Sequence, residues 1–157
     1  MKRWIFITFC VVVGFWVAFS ALAQKDNQPG EQNMALEQNK QLVQRLFEEV
    51  FNQRKTSLID DIYAPDMVDH SAFPDQAPGA AGIKTAINGF FEIFSDFEVT
   101  VEDMVAQEDR VVTRETWRGT HRPSNKPALG TVIHIFRVRD GRITDEWSRG
   151  WDWLDEL

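Results

Sequence analysis

The period of the apolar residues changes once along the chain, near Asp96, and this change limits the fold more than any other feature. Before it, Leu42, Val43, Leu46, Phe47, Val50 and Phe51 recur at intervals of one, three and four, the stripe of an amphipathic helix from residue 39 to 51 or 52. A second, short helix is expected over 57–63, with Ser57 as its cap and Pro65 as its stop. A third fits 82–94, where Ile83, Ile87, Phe90, Phe91 and Phe94 make another stripe. Between these two, MVDHSAFPDQAPGAAG reads as a short extended piece and then a Pro/Gly/Ala loop. After Asp96 the period is two. Phe97, Val99 and Val101 alternate with Glu98, Thr100 and Glu102, Asp109-Arg110 turns the chain, and 111–120, 131–139 and 142 to about 153 read as further strands. Asp140-Gly141 is the hairpin turn between the last two. Helices followed by antiparallel strands give an α+β fold, three helices packed on a curved sheet that can enclose a conical cavity.

The N-terminus carries a different signal. Met1-Lys2-Arg3 precedes an almost unbroken apolar run from Trp4 to Phe19, and Ser20-Ala21-Leu22-Ala23 supplies small residues ahead of Gln24. This is the pattern of a secretory signal peptide, 1–23, cut after Ala23. Its alternative is an uncut anchor, although sixteen apolar residues fall short of the roughly 20 that span a bilayer. With the signal removed, the expectation is a periplasmic or secreted protein that does not stay inserted in a membrane. Residues 24–38 are polar, contain Pro29-Gly30 and read as a flexible tether, and 39–157 form one domain.

Cleavage removes Cys10, so the domain has no cysteine for disulfides, thiol chemistry or a thiolate metal site. It also removes Lys2 and Arg3, taking the formal charge from −7 to −9. So acidic a chain, with its arginines interleaved among acids, does not suit nucleic acid.

Few side chains can move protons. The histidines are His70, His121 and His134, and the acids expected near a cavity are Asp69, Glu115 and Asp152. His134 lies between Ile133 and Ile135 on a strand, which puts it on one face with Phe136 and Val138. It is either a core histidine satisfied by one hydrogen bond or an acid/base group. Glu115 and Trp117 share a face. Glu115 is a buried functional carboxylate or the partner of an arginine on the next strand, and Trp117 fills the core or lines a ligand wall. No His/Asp/Glu spacing marks a metal site.

Three stretches resemble the SnoaL-like polyketide cyclases and predicted ester cyclases of the nuclear transport factor 2-like superfamily: YAPDMVDH (63–70), FSDFEVTVEDMVAQEDRVVTRETWRGTH (94–121) and IHIFRVRDGRITDEW (133–147). The loop RPSNKPALG after His121 is shorter than the family's usual one. The resemblance implies a cone without metal or organic cofactor, in which one acid/base group and an enolate donor act on a small, partly apolar carbonyl compound, as in an intramolecular aldol cyclase or isomerase. The same cone also serves as a non-catalytic module for small hydrophobic ligands, and its outer sheet face commonly pairs two copies. By this resemblance the candidate catalytic residues are His134, Asp152 and His70, and the candidate ligand contacts are Trp117, Glu115, Phe136, Trp147 and His121.

One question of parity stays open at the end of the chain. In a regular strand Trp147, Trp151 and Trp153 share a face opposite Ser148, Gly150 and Asp152. The family's acid/base Asp aligns with either Ser148 or Asp152. A bulge at Arg149-Gly150 would bring Asp152 onto the face of Trp147.

Overall fold

The computed structural model describes residues 29–156. The expected signal peptide and the start of the expected tether lie outside these residues. The main compact unit begins at Asn33.

Helix α1, Pro29–Arg45, starts ten residues before the expected start at 39 and runs directly into π-helical turns over Leu46–Asn52. Residues 29–38 are therefore helical and not a loose tether. Their side chains are mostly exposed, so burial imposes no apolar stripe on them. Helix formers such as Glu31, Gln32, Met34, Ala35 and Leu36 suffice, with proline at the first position, where its missing N–H costs nothing. Further along, Val43, Leu46, Phe47, Val50 and Phe51 are buried, as the period predicts.

The second helix is shorter than expected. A 3-10 turn at Thr56–Leu58 leads into α2, Ile59–Ile62, with no side-chain cap from Ser57. Tyr63 already belongs to strand β1, Tyr63–Asp69, which contains Pro65. β1 is an edge strand, where a residue without an N–H is tolerated. Helix α3 spans Gly79–Ile93. A Cβ on its Gly82 would collide with the carbonyl oxygen of Ala77, so glycine here lets the preceding loop lie directly on the helix.

The sheet adds β2 (Glu98–Gln107), β3 (Arg110–His121), β4 (Lys126–Arg139) and β5 (Arg142–Arg149), in the order β1-β5-β4-β3-β2. It is mixed, because β1 runs parallel to β5 while the other pairs are antiparallel. β4 begins at Lys126 and not near 131, since the short loop after His121 is a tight turn and β3 pairs along its whole length. Irregularities between Val101 and Asp103 and between Arg137 and Val138 add local twist. On the concave face Val111, Thr113, Glu115 and Trp117 alternate inward from β3, and Val132, His134, Phe136 and Val138 from β4. The helices close over this face. Phe47 and Phe51 stack at 5.8 Å, and Phe51 meets Trp117 edge-on at 5.0 Å.

β5 stops at Arg149, short of the expected 153. Gly150 has φ +104, a backbone that L side chains rarely adopt, and a Cβ there would strike the carbonyl oxygen of Thr131. The chain leaves the sheet and ends in a 3-10 turn, Asp152–Glu156. Trp153 then lies on Gly130 of β4, in space that any side chain there would take.

Candidate functional site

At the base of the cone, His134 stands between two carboxylates. Its Nδ1 is 2.9 Å from Glu115 Oε2 and its Nε2 is 3.5 Å from Glu146 Oε1. The first is a hydrogen-bond distance; the second is an ion-pair distance with slack in it. Glu115, buried completely, also faces the indole Nε1 of Trp117 at 3.5 Å, while its Oε1 has no hydrogen-bond partner. Glu146 Oε2 accepts a hydrogen bond of 2.7 Å from the hydroxyl of Tyr63, the only tyrosine in the chain. Three strands thus supply the cluster: β3 Glu115, β4 His134, and β5 Glu146, with Tyr63 where the chain enters β1.

The packing holds the imidazole in place. It stacks on Phe136 at 5.3 Å and 7°, lies 5.9 Å from Trp117, and meets Trp151 edge-on at 5.8 Å. Burial alone would push the His134 pKa down. The hydrogen bond and charge of Glu115, with Glu146 and Asp69 further off, outweigh it and hold the imidazolium above its ordinary value. Burial pushes the Glu146 carboxyl up, and the nearby imidazolium and the Tyr63 hydroxyl only partly offset that. Tyr63 is pushed well up, first by burial and then by Glu146, so its hydroxyl stays protonated and donates.

Above this cluster is a cavity of about 50 Å³, lined in part by Phe47, Tyr63, Trp117, His134, Glu146 and Trp151. The loop after β1 borders it. Asp69 accepts hydrogen bonds from the Ser71 N–H at 2.8 Å and from Gln76 Nε2 at 2.9 Å, and the Ser148 N–H donates to Ser71 Oγ at 3.0 Å. Phe73 and Gln76 are thereby held at the cavity's outer side.

Of the expected residues, His134, Glu115, Trp117 and Phe136 come together. Glu115 is the buried carboxylate of the two alternatives, and its partner is His134, not an arginine. The remaining candidates sit elsewhere. His70 is on the outer face, stacked on Trp147 at 4.2 Å and 1°, with Nε2 3.1 Å from Asp145 Oδ1. Trp147 points outward with it, under the Arg137 guanidinium at 5.3 Å. His121 ends β3 at the rim, its Nδ1 2.7 Å from Ser124 Oγ and its ring beside Phe94. Asp152 is exposed in the C-terminal turn.

The parity of β5 explains the misplaced Trp147 and the missed Glu146. Ile143 faces inward, one extra residue is absorbed beside Thr144, and Glu146 and Ser148 therefore face the cavity while Trp147 faces out. Of the two alignments for the family's acid, the inward one is Ser148, whose hydroxyl accepts a 2.8 Å bond from Trp151 Nε1. A carboxylate is nevertheless present on that face, two residues earlier, at Glu146. Its signal is the three-residue step from Ile143 to Glu146 in the ITDEW segment. Tyr63 falls at the end of an expected helix, and no local pattern points to its role. Among the described residues no group of three or more His, Cys, Asp and Glu is arranged to hold a metal ion.

Fold and site together define a cone of three helices over a mixed sheet, with a buried histidine between two carboxylates at its base. Residues 41–156 match the model of the SnoaL-like polyketide cyclases, and the chain belongs to that family, within the nuclear transport factor 2-like fold. A candidate polyketide cyclase from Bacillus cereus is 26% identical over 76% of this chain and 78% of its own, with a TM-score of 0.69. IdmH, a candidate polyketide cyclase from Streptomyces antibioticus, is 29% identical over 76% of this chain and 98% of its own, at 0.67. AclR of Streptomyces galilaeus, described as a candidate hydroxylase, is 23% identical over 78% of this chain and 98% of its own, at 0.65, a likeness of fold alone. No curated protein matches the chain.

Proposed function

We propose that the protein is a cofactor-independent acid/base catalyst of the cyclase or isomerase type, acting on a carbonyl compound with an acidic C–H. The observation that carries this reading is the set Glu115–His134–Glu146–Tyr63, a buried imidazole between two carboxylates under an aromatic cavity. Glu146, its basicity raised by burial, takes the proton from the carbon next to the carbonyl. The imidazolium of His134, oriented by Glu115, donates to the oxygen where the enolate charge develops. After the enolate attacks a second carbonyl in the same molecule, His134 protonates the new alkoxide and Glu146 returns its proton to His134. The ring walls exclude water and hold the reacting carbons close together.

Deuterium uptake at the α-carbon of a simple 1,3-diketone, followed by NMR in heavy water, tests this. Wild-type protein is expected to accelerate the exchange, and His134→Gln and Glu146→Gln to lose the acceleration while keeping wild-type circular dichroism. Unchanged exchange in both variants sinks the proposal.

A second reading has one observation in its favour. The cavity is nearly filled by the protein's own rings, and Ser148 stands at an inward position where the family resemblance allows a carboxylate. Tight ligand binding without any exchange would make the chain a non-catalytic binding module. The signal pattern of residues 1–23 supports an exported protein, to be checked by fractionating native cells. Exposed Leu129, Ile133 and Ile135 on the sheet's outer side support pairing with a second copy, to be checked by sedimentation.

A further inference from the structure

The inner cavity, at about 50 Å³, admits only a few atoms, whereas sites for drug-sized ligands occupy roughly 300–1,000 Å³. A second concavity of about 460 Å³ lies outside it, between the 73–77 loop, the outward side of α3 and Leu154. The two share a wall: Phe73, Gln76, Ala86 and Phe90 line both.

The walls of the outer groove are apolar and open. Phe73 and Ile93 are 36% and 39% exposed there, large apolar side chains left facing solvent. Gly89 lies within α3, where glycine is destabilising relative to alanine, and no packing explains it, because a Cβ there would meet nothing within 4 Å. Gly82, about two turns earlier, is by contrast required by the Ala77 carbonyl oxygen. The space over Gly89 belongs to the groove. Among the described residues lining it the charged one is Asp75, which suits a neutral chain and disfavours a carboxylate.

Resting on the acid/base reading above, we propose that this groove holds the apolar tail of the substrate. The substrate class is then an uncharged amphiphilic carbonyl compound whose reactive end reaches toward His134 across the wall the two cavities share and whose hydrocarbon part lies along α3. Binding to the inner cavity alone would give no preference for a long chain; the groove adds one.

The test is a fluorescence titration of the full chain with acetylacetone and with straight-chain homologues lengthened one methylene at a time, reading the tryptophans of the cavity and, in parallel, the enolate absorbance. Affinity is expected to rise roughly threefold per methylene until the groove is filled. Gly89→Leu, which fills the groove from its floor, is expected to bring the affinities of the longest and shortest diones close together. Gly89→Ala, adding a single methyl group, keeps most of the gain and controls for the helix. A flat series in the wild type, or a series that Gly89→Leu leaves as steep as before, overturns the groove assignment. A gain that vanishes as protein concentration rises assigns the groove to a second copy and overturns it too. Failure of acetylacetone to give an enolate band dependent on His134 counts instead against the acid/base reading, and the length series then judges the groove by itself.

Discussion

The two faces of the sheet each carry a histidine with a carboxylate, in environments of opposite kind. On the inner face His134 is buried, touches Glu115 at 2.9 Å and is enclosed by rings. On the outer face His70 lies on Trp147, 3.1 Å from Asp145, with about a third of its side chain in solvent. Similar groups at similar distances thus have different consequences. Water screens the outer pair, which gives it little energy and no hold on a substrate. The inner pair is in a buried site, where each charge is costly alone and its partner strongly alters its proton affinity.

The sharpest way to break the comparison is by rate. His134→Gln or Glu146→Gln should reduce catalysed α-proton exchange by about 10²–10⁴-fold, the usual worth of a positioned acid or base. His70→Gln should leave it unchanged, and a comparable loss from His70→Gln would put the site on the wrong face. Stability comes next. Glu115→Ala leaves the imidazolium without its main partner and should cost about 3–5 kcal/mol in urea unfolding, whereas His70→Ala should cost under about 1 kcal/mol.

The third test is pH. His134 and Glu146 both bind a proton more tightly in the folded protein than in the unfolded chain. Each therefore contributes stability that is complete below its unfolded value, about 4.3 for Glu and 6.5 for His, and is lost as pH rises through the higher folded value. The melting temperature should fall as pH rises across this interval. In Glu115→Gln the imidazole's loss should move to lower pH, because the main cause raising it is gone. Exchange should follow a bell, rising as Glu146 ionises and falling as His134 deprotonates, with the alkaline limb displaced downward in the same variant. The smallest effect concerns the hydroxyl beside the cluster. Ser148→Ala deprives the Trp151 N–H of its acceptor and should cost about 1 kcal/mol in urea unfolding.

What is legible in the sequence follows from how regular each element is. β3 and β4 alternate cleanly, so the alternation alone sets Glu115, Trp117, His134 and Phe136 on one face. β5 cannot be read in the same way, because the extra residue near Thr144 inverts its parity and Gly150 ends it early. Counting by twos from the wrong point exchanges Glu146 for Trp147 and leaves Asp152 as a candidate. β1 is hidden for another reason. Its residues, YAPDMVD, show no alternation and include a proline, and its partner strand is distant in sequence, so no local pattern reports the pairing. The first ten residues of α1 escape a reading by period because their helix is not selected by burial.

The hydrogen bond from Tyr63 to Glu146 joins residues 83 positions apart. A contact of such span carries a large loop-closure cost, repaid only once the intervening helices and hairpins are in place. The site is therefore expected to form late in folding. Substitutions at Tyr63 should accelerate unfolding and leave the refolding rate almost untouched, and a partly synthesised chain lacking β5 would have the Glu115–His134 pair but neither Glu146 nor a partner strand for β1.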